Sequence, residues 1–191
     1  MRLAAAKGIN YICIYIQNPT PMTPPPVTLR DAVEADLPQL LEIYNDVILT
    51  TTAVYSEKPH TLEMRQAWSN ERKESGFPVI VAEQEGTIAG FATYGHFRVW
   101  PCYRFTVEHS VYVQKDKRGQ GISKVLLNEI IDHARKAGKH ALIAGIDSEN
   151  DISLKLHQEY GFTQVGRFKQ VGFKFNRWLD LIFMELLLDE G

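Results

Sequence analysis

Between an alternating apolar strand and an amphipathic helix the chain carries Arg118-Gly119-Gln120-Gly121, with Lys115, Lys117 and Lys124 close by. Two glycines at such a junction leave backbone N–H groups uncovered by side chains and aimed along the positive end of the helix dipole. That is a socket for a phosphate or pyrophosphate. A glycine-loosened surface turn with solvated lysines would be written in the same letters. The run does not match G-x-x-x-x-G-K-[ST], and it departs from G-x-G-x-x-G because position 124 is Lys. Nucleoside triphosphate and dinucleotide folds are therefore disfavoured.

A second set of reactive side chains lies just upstream. In "FTVEHSVYV", Glu108 shares a strand face with Thr106, Ser110 and Tyr112, while Val107, Val111 and Val113 face the other way. A carboxylate in the middle of an apolar strand is an edge charge, half of a buried ion pair, or a group kept for chemistry. Before it, "GHFRVWPCYRF" offers Arg98 and Arg104 beside Phe97, Trp100 and Tyr103, a combination suited to a carboxylate next to an apolar wall.

These groups need a scaffold, and the periodicities predict one. Val27 to Arg30 read as a first strand. Asp36 is placed to cap a helix with Pro38 in its first turn, running to about Leu49 and burying Leu37, Leu40, Leu41, Tyr44, Val47 and Ile48. Thr61 caps a second, more polar helix to about Ser75, with Leu62, Met64, Ala67 and Trp68 as its inward groups. The period then changes to two. "PVIVAEQEGTIAGFATYG" predicts a hairpin turning at Glu85-Gly86, and "YRFTVEHSVYV" predicts the next strand. Ile122, Val125, Leu126, Ile130 and Ala134 mark the helix after the glycine loop, closed by Gly138. "HALIAGI" is a buried strand, Asp151 to Tyr160 a short helix ended by Gly161, and two closing strands follow. Phe173, Phe175 and Trp178 in those strands belong either to an interface between copies of the chain or to the core, and composition favours the core. The order implies an α/β (α+β) fold with a strand-loop-helix crossover at its centre.

Composition limits the alternatives. The chain has 191 residues, 45% of them hydrophobic, and a net charge of −2, which gives one core and no electrostatic footprint for nucleic acid. Cys13 and Cys102 form no zinc-type cluster, so no metal is expected, and a reduced, cytoplasmic compartment fits. No apolar run approaches the ~20 residues of a membrane helix. Residues 1–26 hold five of the nine prolines and read as a flexible extension, with Met22 an alternative start; the apolar run Ile9 to Ile16 is too short and interrupted for a signal peptide. The folded domain is expected over 27–191.

The run Arg118-Gly119-Gln120-Gly121-Ile122-Ser123 resembles the Arg/Gln-x-x-Gly-x-Gly/Ala signature with which GNAT-superfamily acetyltransferases hold the pyrophosphate of acetyl-CoA. "TVEHSVYV", "SENDISLKLHQEYGF" and "VGFKFNRWLDLIFM" are similar to the phosphinothricin and methionine sulfone (methionine sulfoximine) acetyltransferase branch, and the resemblance spans Thr28 to Leu187. It implies a mixed, mostly antiparallel sheet flanked by helices. Ser123 departs from the signature, adding a hydroxyl that either donates to a phosphate or crowds it.

The resemblance also assigns roles. An amine attacking an acetyl thioester must lose a proton, and Glu108 matches the branch's general base. The backbone of Val111, Tyr112 and Val113 would bind the pantetheine arm and polarise the carbonyl. Lys124 belongs with the pyrophosphate loop, and Asn150 and Ser153 with the cofactor side of the short helix. His157 stands where many members have a Tyr that protonates the departing thiolate, and this branch is similar in having His; Tyr160 is a nearby alternative. Arg98, Arg104, Tyr103 and Tyr55 are the expected acceptor contacts, and a homodimer is implied. The leading function is therefore acetylation of a small amino-acid-like amine by direct transfer. A peptide or protein acetyltransferase and a non-catalytic CoA sensor are the alternatives, while aminoglycosides call for acidic clusters the chain lacks.

Overall fold

Seven strands and four α-helices carry these periodicities in a computed structural model that describes residues 25–188. Almost all of the expected 1–26 extension, with Cys13, lies outside the described residues. In chain order the elements are β1 Thr28–Asp31, α1 Leu37–Thr50, α2 Leu62–Glu74, β2 Val79–Gln84, β3 Thr87–His96, β4 Thr106–Val113, α3 Ile122–Lys136, β5 Ala141–Asp147, α4 Asp151–Glu159, β6 Thr163–Lys174 and β7 Arg177–Leu187. The sheet runs β1-β2-β3-β4-β5-β7-β6. Its neighbours are antiparallel except β4 and β5, the pair joined through α3. The mixed, mostly antiparallel α/β architecture is the one expected.

Each face of the sheet has its own core. Leu126, Leu127, Ile130 and Ala134 of α3 bury against Ala82, Ala92, Leu142 and Ile182, whereas Leu40 and Ile43 of α1 bury against Val81 and Phe91. The alternation within β2 and β3 sends successive residues to the two cores. The β2–β3 hairpin turns at Glu85 and Gly86, both with positive φ (54° and 76°), as a two-residue turn of this hand requires.

Several inward assignments are corrected. In α2, Leu62 and Met64 are exposed and Trp68 is half-buried, while Arg65 is the buried residue at 1% exposure. Its guanidinium lies 4.0 Å from the Tyr44 ring and 4.5 Å from that of Trp68, so α2 packs through a cation sandwiched by aromatics rather than through aliphatic side chains. In α3, Val125 faces solvent and Leu127 and Ile131 are buried instead. Phe173, Phe175 and Trp178 are half or more exposed on the hairpin formed by β7 and the edge strand β6; Phe173 and Trp178 pack on each other, 5.1 Å apart.

Asp36 occupies the N-cap position of α1, yet its carboxylate does not cap the helix. It receives both Nη atoms of Arg30 at 2.7 and 3.0 Å and the Val33 amide at 2.8 Å, tying β1 to the helix entrance. The Arg30 hydrogen bonds hold the carboxyl below its ordinary range. A depressed folded-state value means that the contribution is present above the unfolded value and lost as pH falls through the folded one. Asp36→Asn is expected to cost about 1–2 kcal/mol at neutral pH and little in acid, as read by urea midpoints across that range.

Candidate active site

Strands β4 and β5 begin as partners and then separate. Their ladder covers only Thr106↔Ala141, Val107↔Leu142 and Glu108↔Ile143, although β4 continues to Val113 and β5 to Asp147. A cavity of about 730 Å³ opens in the fork, walled by Ser110 to Val113 on one side and Ala144 to Asp147 on the other, with the first turn of α3 and one face of α4 closing it. The Gln114 amide donates to Ala89 of β3, so strand alternation turns the amides of Val111 and Val113 away from β3 and towards the gap. The fork thus keeps backbone donors available without breaking a ladder that the fold needs.

The glycine loop closes one end of this cavity. Gly119 and Gly121 have φ of 78° and 82°, and a Cβ on either would meet nothing within 4 Å, so conformation rather than space requires glycine there. Gly121 is the N-cap of α3 and brings no side-chain acceptor, leaving the first helical amides uncapped. Arg118 donates to the Val113 carbonyl and pairs with Asp46 of α1 at 3.2 Å; Lys117 pairs with Glu85 and Lys124 with Glu159. Exposed pairs of this kind add little to stability, so these cations are available to a competing anion. Ile122 is buried at the helix start, Ser123 lines the cavity, and Gln120 is turned towards Gln84 at 3.3 Å. The uncapped amides, the flanking cations and the strand amides of the gap fit a long thioester-bearing nucleotide.

At the root of the fork stands Glu108, half-buried between Gly95 of β3 and Ile143 of β5. Burial raises its carboxyl above the ordinary range, and the charge of Arg98 partly opposes this. Its Oε1 lies 3.0 Å from where a Cβ on Gly145 would be. Gly145 therefore gives the carboxylate its room.

Opposite, on α4, Asn150 caps the helix by accepting from the Ser153 amide at 3.1 Å. His157 is buried, not solvent-facing, and its Nδ1 lies 2.7 Å from the Ser153 carbonyl. Tyr160 donates its hydroxyl to the Lys124 carbonyl and is committed there. His109, absent from the sequence-based site, lies on the β4 face of Val107 and Val111 and reaches His157. A histidine alternating with valines was the signal for it.

The acceptor side is less gathered. Arg98 lies over its neighbour Phe97, 4.1 Å from that ring, within electrostatic reach of Glu108. Arg104 is exposed and lies over Phe105, 4.4 Å from the ring, and is not brought to Glu108 in a single chain. Tyr103 borders a separate apolar groove with Phe97, Phe168 and Phe183. Tyr55 rests on Gly172, where a Cβ would sit 2.5 Å from its ring, and donates to the Asp180 carbonyl.

Comparison with known proteins matches residues 29–183 to the acetyltransferase (GNAT) domain. The chain belongs to the GNAT acetyltransferase family. A relative from Pseudomonas aeruginosa, an L-methionine sulfoximine/L-methionine sulfone acetyltransferase, is 48% identical over 163 residues, 85% of this chain and 95% of the relative. An acetyltransferase structure from Salmonella typhimurium with its cofactor acetyl-CoA superposes with a TM-score of 0.84 at 44% identity, covering 86% of this chain and 95% of that one. A phosphinothricin acetyltransferase from Sinorhizobium meliloti in complex with acetyl-CoA gives 0.84 at 39% identity, covering 89% and 91%. This GNAT protein is accordingly an acetyl-CoA-dependent N-acetyltransferase, and among the described residues no cluster could hold a metal ion. Nor is any described helix long and apolar enough to cross a membrane.

Proposed function

We propose that this enzyme acetylates the α-amine of a small amino-acid-like acceptor of the methionine sulfoximine, methionine sulfone or phosphinothricin type, by direct transfer with Glu108 as general base. The observation that carries this reading is the half-buried carboxylate at the root of the β4–β5 fork, its basicity raised by partial desolvation. Bound acetyl-CoA supplies an activated acyl thioester. The amides of Val111 and Val113 hold and polarise it, Tyr112 shapes the wall, and Arg118 to Lys124 with Asn150 and Ser153 receive its phosphates and arm. Glu108 takes the proton that the acceptor ammonium must lose, directly or through a water. His157 serves the thiol side.

Arg98 meets the acceptor carboxylate, and Tyr103, Arg104 and Tyr55 form the outer wall. The exposure of Trp100, Tyr103, Arg104 and Phe105 supports a homodimer in which a second copy completes that wall. The setting is cytoplasmic. The deciding assay is thiol release from acetyl-CoA against these analogues, ordinary amino acids and peptides. Release confined to peptides would overturn the small-acceptor reading, and a monomer in sedimentation would overturn the dimer.

Gly145→Ala tests the placement of the base. Its methyl would stand 3.0 Å from Oε1, so the carboxylate must give way. A shift of a few tenths of an ångström, short of the ~1 Å that costs ~10²-fold, is expected to lower kcat by up to about tenfold, with the KM for acetyl-CoA little changed in steady-state kinetics.

A further inference from the structure

The two buried histidines at the cavity, His109 at 6% exposure and His157 at 5%, are joined Nε2 to Nε2 at 3.2 Å. The direction of that hydrogen bond follows from the other end of the chain. A carbonyl oxygen only accepts, so the 2.7 Å contact between His157 Nδ1 and the Ser153 carbonyl puts a proton on Nδ1. In the neutral ring Nε2 is then bare, and the proton between the rings must belong to His109 Nε2. His109 Nδ1 is left as a bare lone pair, and it is buried without a hydrogen-bond partner. Phe162 packs on both rings, at 5.5 and 5.0 Å, and keeps them from reorienting.

From this chain we infer that His109 is a positioning residue for His157: it occupies the His157 Nε2 lone pair and holds that ring in a single tautomer. The consequence for the reaction rests on the acetyl-transfer reading above. In the neutral pair His157 has no proton to present at Nε2. Burial holds both imidazoles below their ordinary range, so the pair rests neutral, and any proton that reaches His157 Nε2 lies on the axis it shares with His109 Nε2. His109 therefore belongs to the thiol-side machinery although it is a strand residue on an otherwise apolar face.

The test uses the full chain with 15N-labelled histidine. In the unaltered protein His157 should show a protonated Nδ1 and a bare Nε2, and His109 the reverse. His109→Phe, which fills the space without a donor, should give His157 mixed tautomers and a kcat lower by about tenfold to a hundredfold, a part of the ~10²–10⁴-fold that positioned acid–base groups supply. Affinity for acetyl-CoA is measured alongside, because His109 lines the cavity; a loss in kcat larger than the loss in affinity marks the positioning role. His109→Gln, whose amide can donate to Nε2, should restore the single tautomer and most of the rate. A protonated Nε2 on His157 in the unaltered protein, or an unchanged kcat in His109→Phe, overturns the inference. The expected nitrogen pattern in a chain that acetylates no small amine would support the pair while counting against the acceptor reading.

Discussion

Glu108→Gln is expected to lower kcat by about 10²–10⁴-fold while acetyl-CoA binds as before. The amide keeps the volume and the strand pairing with Gly95 and Ile143, so the fork and its amides are undisturbed. On the proposed mechanism, what is lost is the acceptor of the ammonium proton. The same residue would then set the acid side of the pH dependence. Burial raises the Glu108 carboxyl, so the base is protonated, and the rate falls, at a pH above the ordinary carboxylate range. The direction is fixed: activity is present above the raised value and lost as pH drops through it, and the Gln variant should lack that limb. A kcat/KM profile across the acid range, with equilibrium dialysis of acetyl-CoA for both proteins, reads both effects. An unchanged rate in Glu108→Gln would remove Glu108 as the general base and assign the ammonium proton to another acceptor.

The other large effect is on the sheet itself. A methyl at Gly90 would sit 2.6 Å from the Tyr112 carbonyl oxygen and 3.2 Å from both Val113 Cα and Leu126 Cδ1. Two of these neighbours are backbone of β4 and the third is a fully buried side chain, so nothing can yield cheaply. Gly90→Ala should therefore cost about 3 kcal/mol, the upper end for overpacking, or roughly 6–12 °C in Tm for a chain of this size. The displacement falls on Tyr112 and Val113, whose backbone flanks the cavity, so the KM for acetyl-CoA should rise more than that for the acceptor. Gly86→Ala is the control for a clash, because a Cβ there meets nothing, although its positive φ carries a smaller cost. Scanning calorimetry with steady-state kinetics on both variants separates a packing clash from a general loss of glycine freedom.

What could be read from the sequence was whatever depends on neighbours along the chain. Glu108 stood out because period-two alternation placed one carboxylate among valines, and the Gly119–Gly121 junction because a strand and an amphipathic helix meet there. What escaped depends on pairs distant in sequence. Arg65 escapes notice because helical spacing favours the aliphatic Leu62 and Met64, and only the fold brings Tyr44 to receive a guanidinium. Phe173, Phe175 and Trp178 look like core by composition, and it is the edge position of β6 in the strand order that leaves them exposed. Gly90, Gly95 and Gly145 carry no local mark at all. Each is small because of Tyr112, Arg72 or Glu108 on another element. His109 was visible as a letter, but its meaning required α4 to lie across β4.

The fork has a consequence for the chain as a thermodynamic object. A sheet that stops pairing midway has surrendered rungs, and whatever threads the gap replaces them. The missing rungs exist only when β4 and β5 are in place, so a molecule that fills them binds the folded chain and ignores the unfolded one. Linkage then adds stability that grows with the logarithm of its concentration, about 2.7 kcal/mol at a hundredfold excess over Kd. The melting temperature of this protein in a cell extract would accordingly track the local supply of acetyl-CoA, and starvation for it would expose the enzyme to proteolysis before it limited catalysis.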